Sequence, residues 1–176
     1  MLIVVLGRPG SGKTTVAKKV SELAVLPFLE TSEFVKKLAG VKDSRKDWNQ
    51  VHNFVDKDDP DWLWNPIHEA LTTHQGNCVF SGIREPYLLH KIFDTFDDVF
   101  VMGVEASEFN RYSRLCTRDG YMTADHFYER NAGDEQKGLN IALSRCDVVI
   151  DSNKTLTETF RQIEKEVFKL RKPRRK

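Results

Sequence analysis

Cysteine is scarce here and poorly placed for its structural uses. The three cysteines, Cys78, Cys116 and Cys146, are far apart, odd in number, and in no Cys-x-x-Cys or Cys/His ligand spacing. That pattern argues against a disulfide framework and against a zinc site, and it fits a reducing, cytoplasmic compartment. None of the five histidines belongs to a His-Glu-x-x-His motif, which removes the zinc-protease class. No apolar run is long enough to cross a bilayer, so no membrane partner is expected. The apolar start, Met1 to Leu6, is too short for a signal-peptide core and runs directly into a glycine-rich loop, so it is expected as a buried strand. An excess of one charge is also lacking: the formal net charge is +1, which implies no acidic partner for the chain as a whole. Charge is nevertheless uneven. Lys169 to Lys176 is strongly basic, and Asp56 to Asp61 is acidic. The basic end reads as a solvated tail in preference to a nucleic-acid clamp.

What is present is ordinary globular composition over 176 residues, enough for one compact domain with a sizeable core. Repeats and low-complexity segments are absent. Alternating strand and helix signals predict an α/β fold with a mainly parallel sheet. Strands are expected at 2–6, 26–29, 78–80, 99–104 and 148–150. Val16, Val20, Leu23 and Ala24 form one helical stripe, and Leu156, Phe160, Ile163, Val167 and Leu170 form another. Thr31 or Ser32 is expected to cap a helix ended by Gly40, and Asp61 to cap one carrying Leu63, Ile67 and Leu71. Residues 85–93 read as a helix, and 107–144 as helices broken near Asp119-Gly120. Residues 41–60 carry few periodic apolar positions.

Gly7-Arg8-Pro9-Gly10-Ser11-Gly12-Lys13-Thr14 matches Gly-x-x-x-x-Gly-Lys-Ser/Thr at every required position, between an apolar strand and an amphipathic helix. Glycines let the backbone wrap closely and turn its N–H groups toward phosphate oxygens, and the following helix adds the positive end of its dipole. Lys13 is expected on the β- and γ-phosphates, the Thr14 hydroxyl on magnesium, and Thr15 near the α-phosphate. The motif says that a nucleotide triphosphate binds; it does not say what happens to it.

Further segments resemble the small P-loop kinases: nucleoside-monophosphate kinases, archaeal adenylate-kinase-related proteins and dephospho-coenzyme-A kinases. Ser32-Glu33-Phe34-Val35-Lys36-Lys37 looks like the segment where this group places an acid facing the acceptor, with Glu33 in place of the usual Asp. Val79-Phe80-Ser81-Gly82-Ile83-Arg84 is similar to the strand followed by Asp-Gly-x-Arg, in which the Asp assists magnesium through water and the Arg grips the acceptor's phosphate. Here Ser81 stands in the place of that Asp. Arg114 and Arg118, with Arg111 and Arg130 as further candidates, look like an arginine-bearing lid. Cys146 to Asn153 resembles the last strand and the loop beside the adenine, with Asn153 as a candidate nucleotide contact.

The resemblance implies a P-loop NTPase fold: a parallel five-stranded sheet flanked by helices, with a helical lid. It implies a single kinase domain over 1–176, an acceptor-binding insert at 41–74, a lid at 107–135 and a basic tail at 171–176. Lys13, Glu33, Arg114 and Arg118 would be catalytic, and residues 7–15 (Gly7, Arg8, Pro9, Gly10, Ser11, Gly12, Lys13, Thr14, Thr15) with Asn153 would hold ATP. Arg84 would hold the acceptor, and magnesium would sit on Thr14 and, through water, on Ser81. The expected reaction is ATP-dependent phosphoryl transfer to a nucleotide-type acceptor, in nucleotide metabolism. An alternative acceptor is a hydroxyl within nucleic acid, motivated by the basic end and by Trp48, Trp62 and Trp64. A GTPase-like switch is disfavoured, because Asn153-Lys154-Thr155-Leu156 lacks the last Asp of the guanine-reading motif and no Asp-x-x-Gly follows the third strand.

Overall fold

The computed structural model describes residues 1–42, 59, 61–120 and 122–170. The basic tail at 171–176, Trp48 and most of the unreadable part of the insert therefore lie outside the described residues.

Strand β1, Leu2–Gly7, is buried along its whole length, which is why its sequence is an unbroken apolar run instead of an alternating one. It is the centre of a five-stranded sheet with β2 (Phe28–Glu30), β3 (Cys78–Ser81), β4 (Val99–Glu105) and β5 (Val148–Asp151). The order is β2-β3-β1-β4-β5, and every pairing is parallel. The chain leaves β1 toward one side and later returns to its other side, so the C-terminal end of β1 is a topological switch point, where ligands bind in such sheets.

Alternation along the strands divides the core into two layers. Leu2, Val4 and Leu6 face α3 (Trp64–Thr73) and α4 (Pro86–Thr95), packing with Ile67, Leu71, Leu88, Leu89 and Ile92. Ile3 and Val5 face α1 (Lys13–Ala24) and α8 (Leu156–Leu170), packing with Val16, Ala17, Val20, Ile163 and Val167. Trp64 is buried in the first layer, which removes it as an exposed stacking platform for single-stranded nucleic acid. Helices α2 (Thr31–Ala39), α5 (Glu108–Asp119), α6 (Ala124–Gln136) and α7 (Leu139–Leu143) complete the described elements.

Two expected boundaries move, for local reasons. Strand β2 begins at Phe28 instead of Leu26. Val25 caps α1 in the left-handed region at φ 57°, and Leu26 N–H bonds back to the Ser21 carbonyl, so Leu26 is spent closing the helix. Neither expected side-chain cap forms. Thr31 Oγ1 donates to the Ser81 carbonyl instead, linking α2 to β3, and Asp61 accepts from Tyr87 and Lys91 of α4. Gly40 ends α2 at φ 65°, as expected. Ser107 caps α5 and Thr123 caps α6, with Gly120 at the break between them. Among the described residues, no helix is long and apolar enough to cross a membrane.

Candidate functional site

The loop from Gly7 to Gly12 joins the C-terminal end of β1 to α1, and its glycines have distinct duties. Gly10 and Gly12 adopt φ 77° and 89°, left-handed values that side chains resist. A Cβ on Gly10 would stand 2.5 Å from the Arg111 carbonyl oxygen, so glycine there lets the backbone of α5 rest on the loop. Helix α1 starts at Lys13 with no acid in its first turn, leaving its positive end uncompensated by its own side chains.

Lys13 is the electrostatic centre of the site. Burial, and next the Arg84 guanidinium, push its ammonium down to about 8, with Arg130 acting in the same direction. Asp134 and then Glu30 oppose that shift. Two further cations and two acids, from β2, the loop after β3 and α6, therefore act on the P-loop lysine. This arrangement is unfavourable until a polyanion arrives, and it is what a phosphate site needs.

On the other side of the loop, Thr14 Oγ1 donates to Glu30 Oε1 at 2.7 Å. Glu30 is the last residue of β2. It stands in register with Ser81 of β3, which in turn is level with Val5 of β1, so the three share one face of the sheet. That is the face packed on α1. Ser81 Oγ is fully buried and has no hydrogen-bond partner among the described residues.

Several expected residues are placed differently. Glu33 lies on the outer face of α2, its side chain 64% exposed and paired with Lys36 at 2.7 Å. The carboxylate that reaches the P-loop is Glu30, three residues earlier. Glu30 ends β2 in extended backbone and Glu33 lies in the first turn of α2, so the two acids meet different surroundings. Arg114 is not poised as a free lid arginine. Its guanidinium donates to the Gly10 and Ser11 carbonyls at 3.4 and 3.3 Å, and to the Ser152 hydroxyl and carbonyl at 3.1 and 2.5 Å. Ser152 Oγ itself donates to the Ser11 carbonyl at 2.6 Å. Arg114 and Ser152 thus engage the P-loop's carbonyls. Arg118, one helical turn on, forms a bidentate pair with Asp119 at 2.6 Å, and Arg130 meets the same carboxylate at 3.5 Å.

Arg111 is buried, donates to the Pro9 carbonyl and to Asn131 Oδ1, and stacks over Phe127, so it joins loop, α5 and α6. Arg8 reaches Asn140 Oδ1 at 2.5 Å. Asn153 accepts from the Ser107 N–H and donates to Asp151, tying the loop after β5 to the start of α5. Arg84 follows β3 and pairs at 3.1 Å with Asp134, whose side chain is 5% exposed. Thr15 is exposed at the start of α1.

Glu30, Asp134 and Ser152 went unnoticed in the sequence. Glu30 carried a signal: a charged residue ending an apolar strand at the sheet's C-terminal edge. Asp134 carried none, because it lies within the polar helical stretch 124–136, where acids are commonplace.

Comparisons with known proteins agree with this architecture. The model of an AAA domain family matches residues 3–138. A UPF0200 protein of Pyrobaculum aerophilum is 26% identical over 174 residues, covering 97% of this chain and 98% of its own. A cytidylate kinase of Pyrobaculum islandicum is 26% identical, covering 87% and 84%. Among solved structures, a gluconokinase from Sinorhizobium meliloti superposes with a TM-score of 0.67 at 19% identity, covering 96% of this chain and 92% of that one. The last of these speaks to fold alone. The chain belongs to this AAA domain family and is a small P-loop kinase related to the nucleoside-monophosphate kinases.

Proposed function

We propose that this kinase transfers the terminal phosphoryl group of ATP to a nucleotide-type acceptor, a nucleoside or deoxynucleoside monophosphate or a related nucleotide. The observation that carries the reading is the placement of Arg84, in the loop after β3 and paired at 3.1 Å with the buried Asp134 of α6, where its charge and that of Arg130 act on the P-loop ammonium of Lys13. A cation on the P-loop, one on the acceptor side and one from the lid region bracket the place where phosphate charge would concentrate. Phosphoryl transfer asks chiefly for that bracketing, together with in-line positioning.

The P-loop N–H groups and Lys13 hold the donor's phosphates, while Arg114 and Ser152 keep the loop's carbonyls turned away from them. Arg84 keeps Asp134 on Nη1 and offers its remaining N–H donors to the acceptor's phosphate, a contact for which a guanidinium is well shaped. Glu30 takes the orienting role on the β2 side. Magnesium fits the oxygens present: the Thr14 hydroxyl of α1, the Glu30 carboxylate bonded to it, and the buried, unpartnered Ser81 hydroxyl, in register with Glu30 on the face of the sheet packed on α1. No group of three His, Cys, Asp or Glu converges among the described residues, so the donor's phosphates would complete the coordination. When bound, the ion neutralises charge on the β- and γ-phosphate oxygens. The contacts that Arg118 and Arg130 make with Asp119 are exposed enough to be exchanged for phosphate.

Steady-state transfer to a panel of nucleoside monophosphates, with Arg84→Ala beside the wild type, tests the reading. The variant should raise acceptor KM about tenfold or more, the loss of a charge-assisted contact of about 1.5–3 kcal/mol, with ATP KM unchanged. An acceptor KM equal to wild type for every member of the panel would remove Arg84 from the site.

A further inference from the structure

Asp134 is an unusual group to find beside a phosphate site. It is 3% exposed, on α6, and its charge acts on Lys13 together with those of Arg84 and Arg130. An acid in that company repels the substrate's phosphates unless it has work of its own. Half of that work is visible: Asp134 Oδ1 takes Arg84 Nη1 at 3.1 Å. The other oxygen, Oδ2, is buried and has no hydrogen-bond partner among the described residues. A buried carboxylate oxygen without a donor is costly, and such sites are retained where a ligand or a water supplies the donor. Helix α6 presents a second orphan nearby in sequence, Asn131 Nδ2, and Arg111 Nε, on the side chain that bonds Asn131, is a third. The unfilled positions therefore include one acceptor and two donors, on side chains joined by contacts to the P-loop and to Arg84.

We infer that Asp134 is a specificity-determining residue, whose free oxygen accepts a hydrogen bond from a hydroxyl carried by the acceptor close to the anionic group that Arg84 holds. The inference rests on the reading of Arg84 as the acceptor's anion grip, and it narrows the acceptor. A bare phosphate or carboxylate satisfies Arg84 but leaves Oδ2 orphaned. An anionic group with a neighbouring hydroxyl satisfies both. Two sources share this chemistry, a ribonucleoside monophosphate and a polyhydroxy carboxylate, and they separate by which is phosphorylated. A site built to bond a hydroxyl rejects the analogue lacking it strongly, because the buried acceptor is then left unpaired. No proton transfer is assigned to Asp134: it orients the substrate.

The test uses the full chain with ATP and magnesium, and acceptor pairs that differ by the hydroxyl nearest the anionic group: ribo- against 3′-deoxyribonucleoside 5′-monophosphates, and a polyhydroxy carboxylate against its 2-deoxy analogue. Wild type should prefer the hydroxyl-bearing member by at least about tenfold in kcat/KM. Asp134→Asn keeps size and removes charge, and should reduce that preference to within about threefold, chiefly by raising the KM of the hydroxyl-bearing member, with ATP KM within twofold of wild type. Asp134→Glu, which keeps the carboxylate, should retain part of the preference. A structural role for Asp134 would lower both members of a pair equally and leave the ratio unmoved. An unchanged ratio in Asp134→Asn, or a wild type indifferent to the hydroxyl in both classes, overturns the inference even if nucleotide transfer is robust. Transfer confined to the polyhydroxy carboxylate, with the ratio collapsing as described, overturns the nucleotide reading and leaves Asp134 in its role. Transfer to no member of either class, with folded protein by circular dichroism, refutes both.

Discussion

Arg114→Ala separates a brace from a lid. As a lid arginine, exposed until closure, Arg114 would contribute little to the ligand-free fold, and its removal would lower kcat alone. The structure shows it bonded to four acceptors, on Gly10, Ser11 and Ser152, in a part-buried setting. Two of those bonds are long and count for little. The two to Ser152, at 3.1 and 2.5 Å, are charge-assisted, a class that contributes about 1.5–3 kcal/mol each. Water reaching the vacated space would recover part of this, so a net loss of about 2–3 kcal/mol is expected. For a chain of this size, about 2–4 °C of Tm follows each kcal/mol, giving a fall of roughly 4–12 °C without nucleotide. The loosened P-loop should also bind ATP about tenfold more weakly, because its N–H groups are no longer held in one array. Arg114→Lys keeps the charge but not the fork, and should recover less than half of either loss. Differential scanning calorimetry of the ligand-free variants and ATP titration by calorimetry give the two numbers. A variant that melts within 1 °C of wild type, binds ATP normally and loses only kcat would refute the brace and restore Arg114 to the lid.

Lys13 loses its proton near pH 8 in the free protein but near 10.5 in the unfolded chain. The unfolded state thus binds more protons between those values, and this group makes stability rise with pH across that window. Bound triphosphate favours the ammonium, so ATP binding should take up protons from about pH 8 upward, and ATP affinity should fall as pH passes 8. Calorimetry in buffers of different ionisation enthalpy reads that uptake, and none at pH 8.5 would contradict the shift. Lys13→Met should abolish transfer, by at least ~100-fold, while raising Tm, and a lowered Tm would contradict the burial cost of the ammonium. Glu30→Gln should lower kcat and weaken the response to magnesium, whereas Glu33→Gln, on the exposed face of α2, should leave both within twofold of wild type. The opposite ranking in a magnesium titration would return the acceptor-side acid to Glu33.

The sequence by itself determined the elements whose cause is local. The run Leu2 to Leu6 has only one use, as a strand covered on both faces. The P-loop declares itself because Gly10 and Gly12 must adopt left-handed backbone and Lys13 must follow at the start of the helix. Gly40, the break at Gly120 and the α8 stripe act within a few residues of themselves and fell where they were expected. Tertiary structure alone decided which side chains share the site. Glu30 and Glu33 differ in sequence by three places, yet the turn from β2 into α2 aims one at Thr14 and the other at solvent. Arg114 and Arg118 lie on one helical face, but only packing of α5 over the loop at Gly10 tells the brace from the arginine paired with Asp119. Arg84 and Asp134 stand 50 residues apart in the chain, and their pairing arises where β3 ends near α6. A charge takes its role from what surrounds it in three dimensions, and sequence spacing records only the neighbours along the chain.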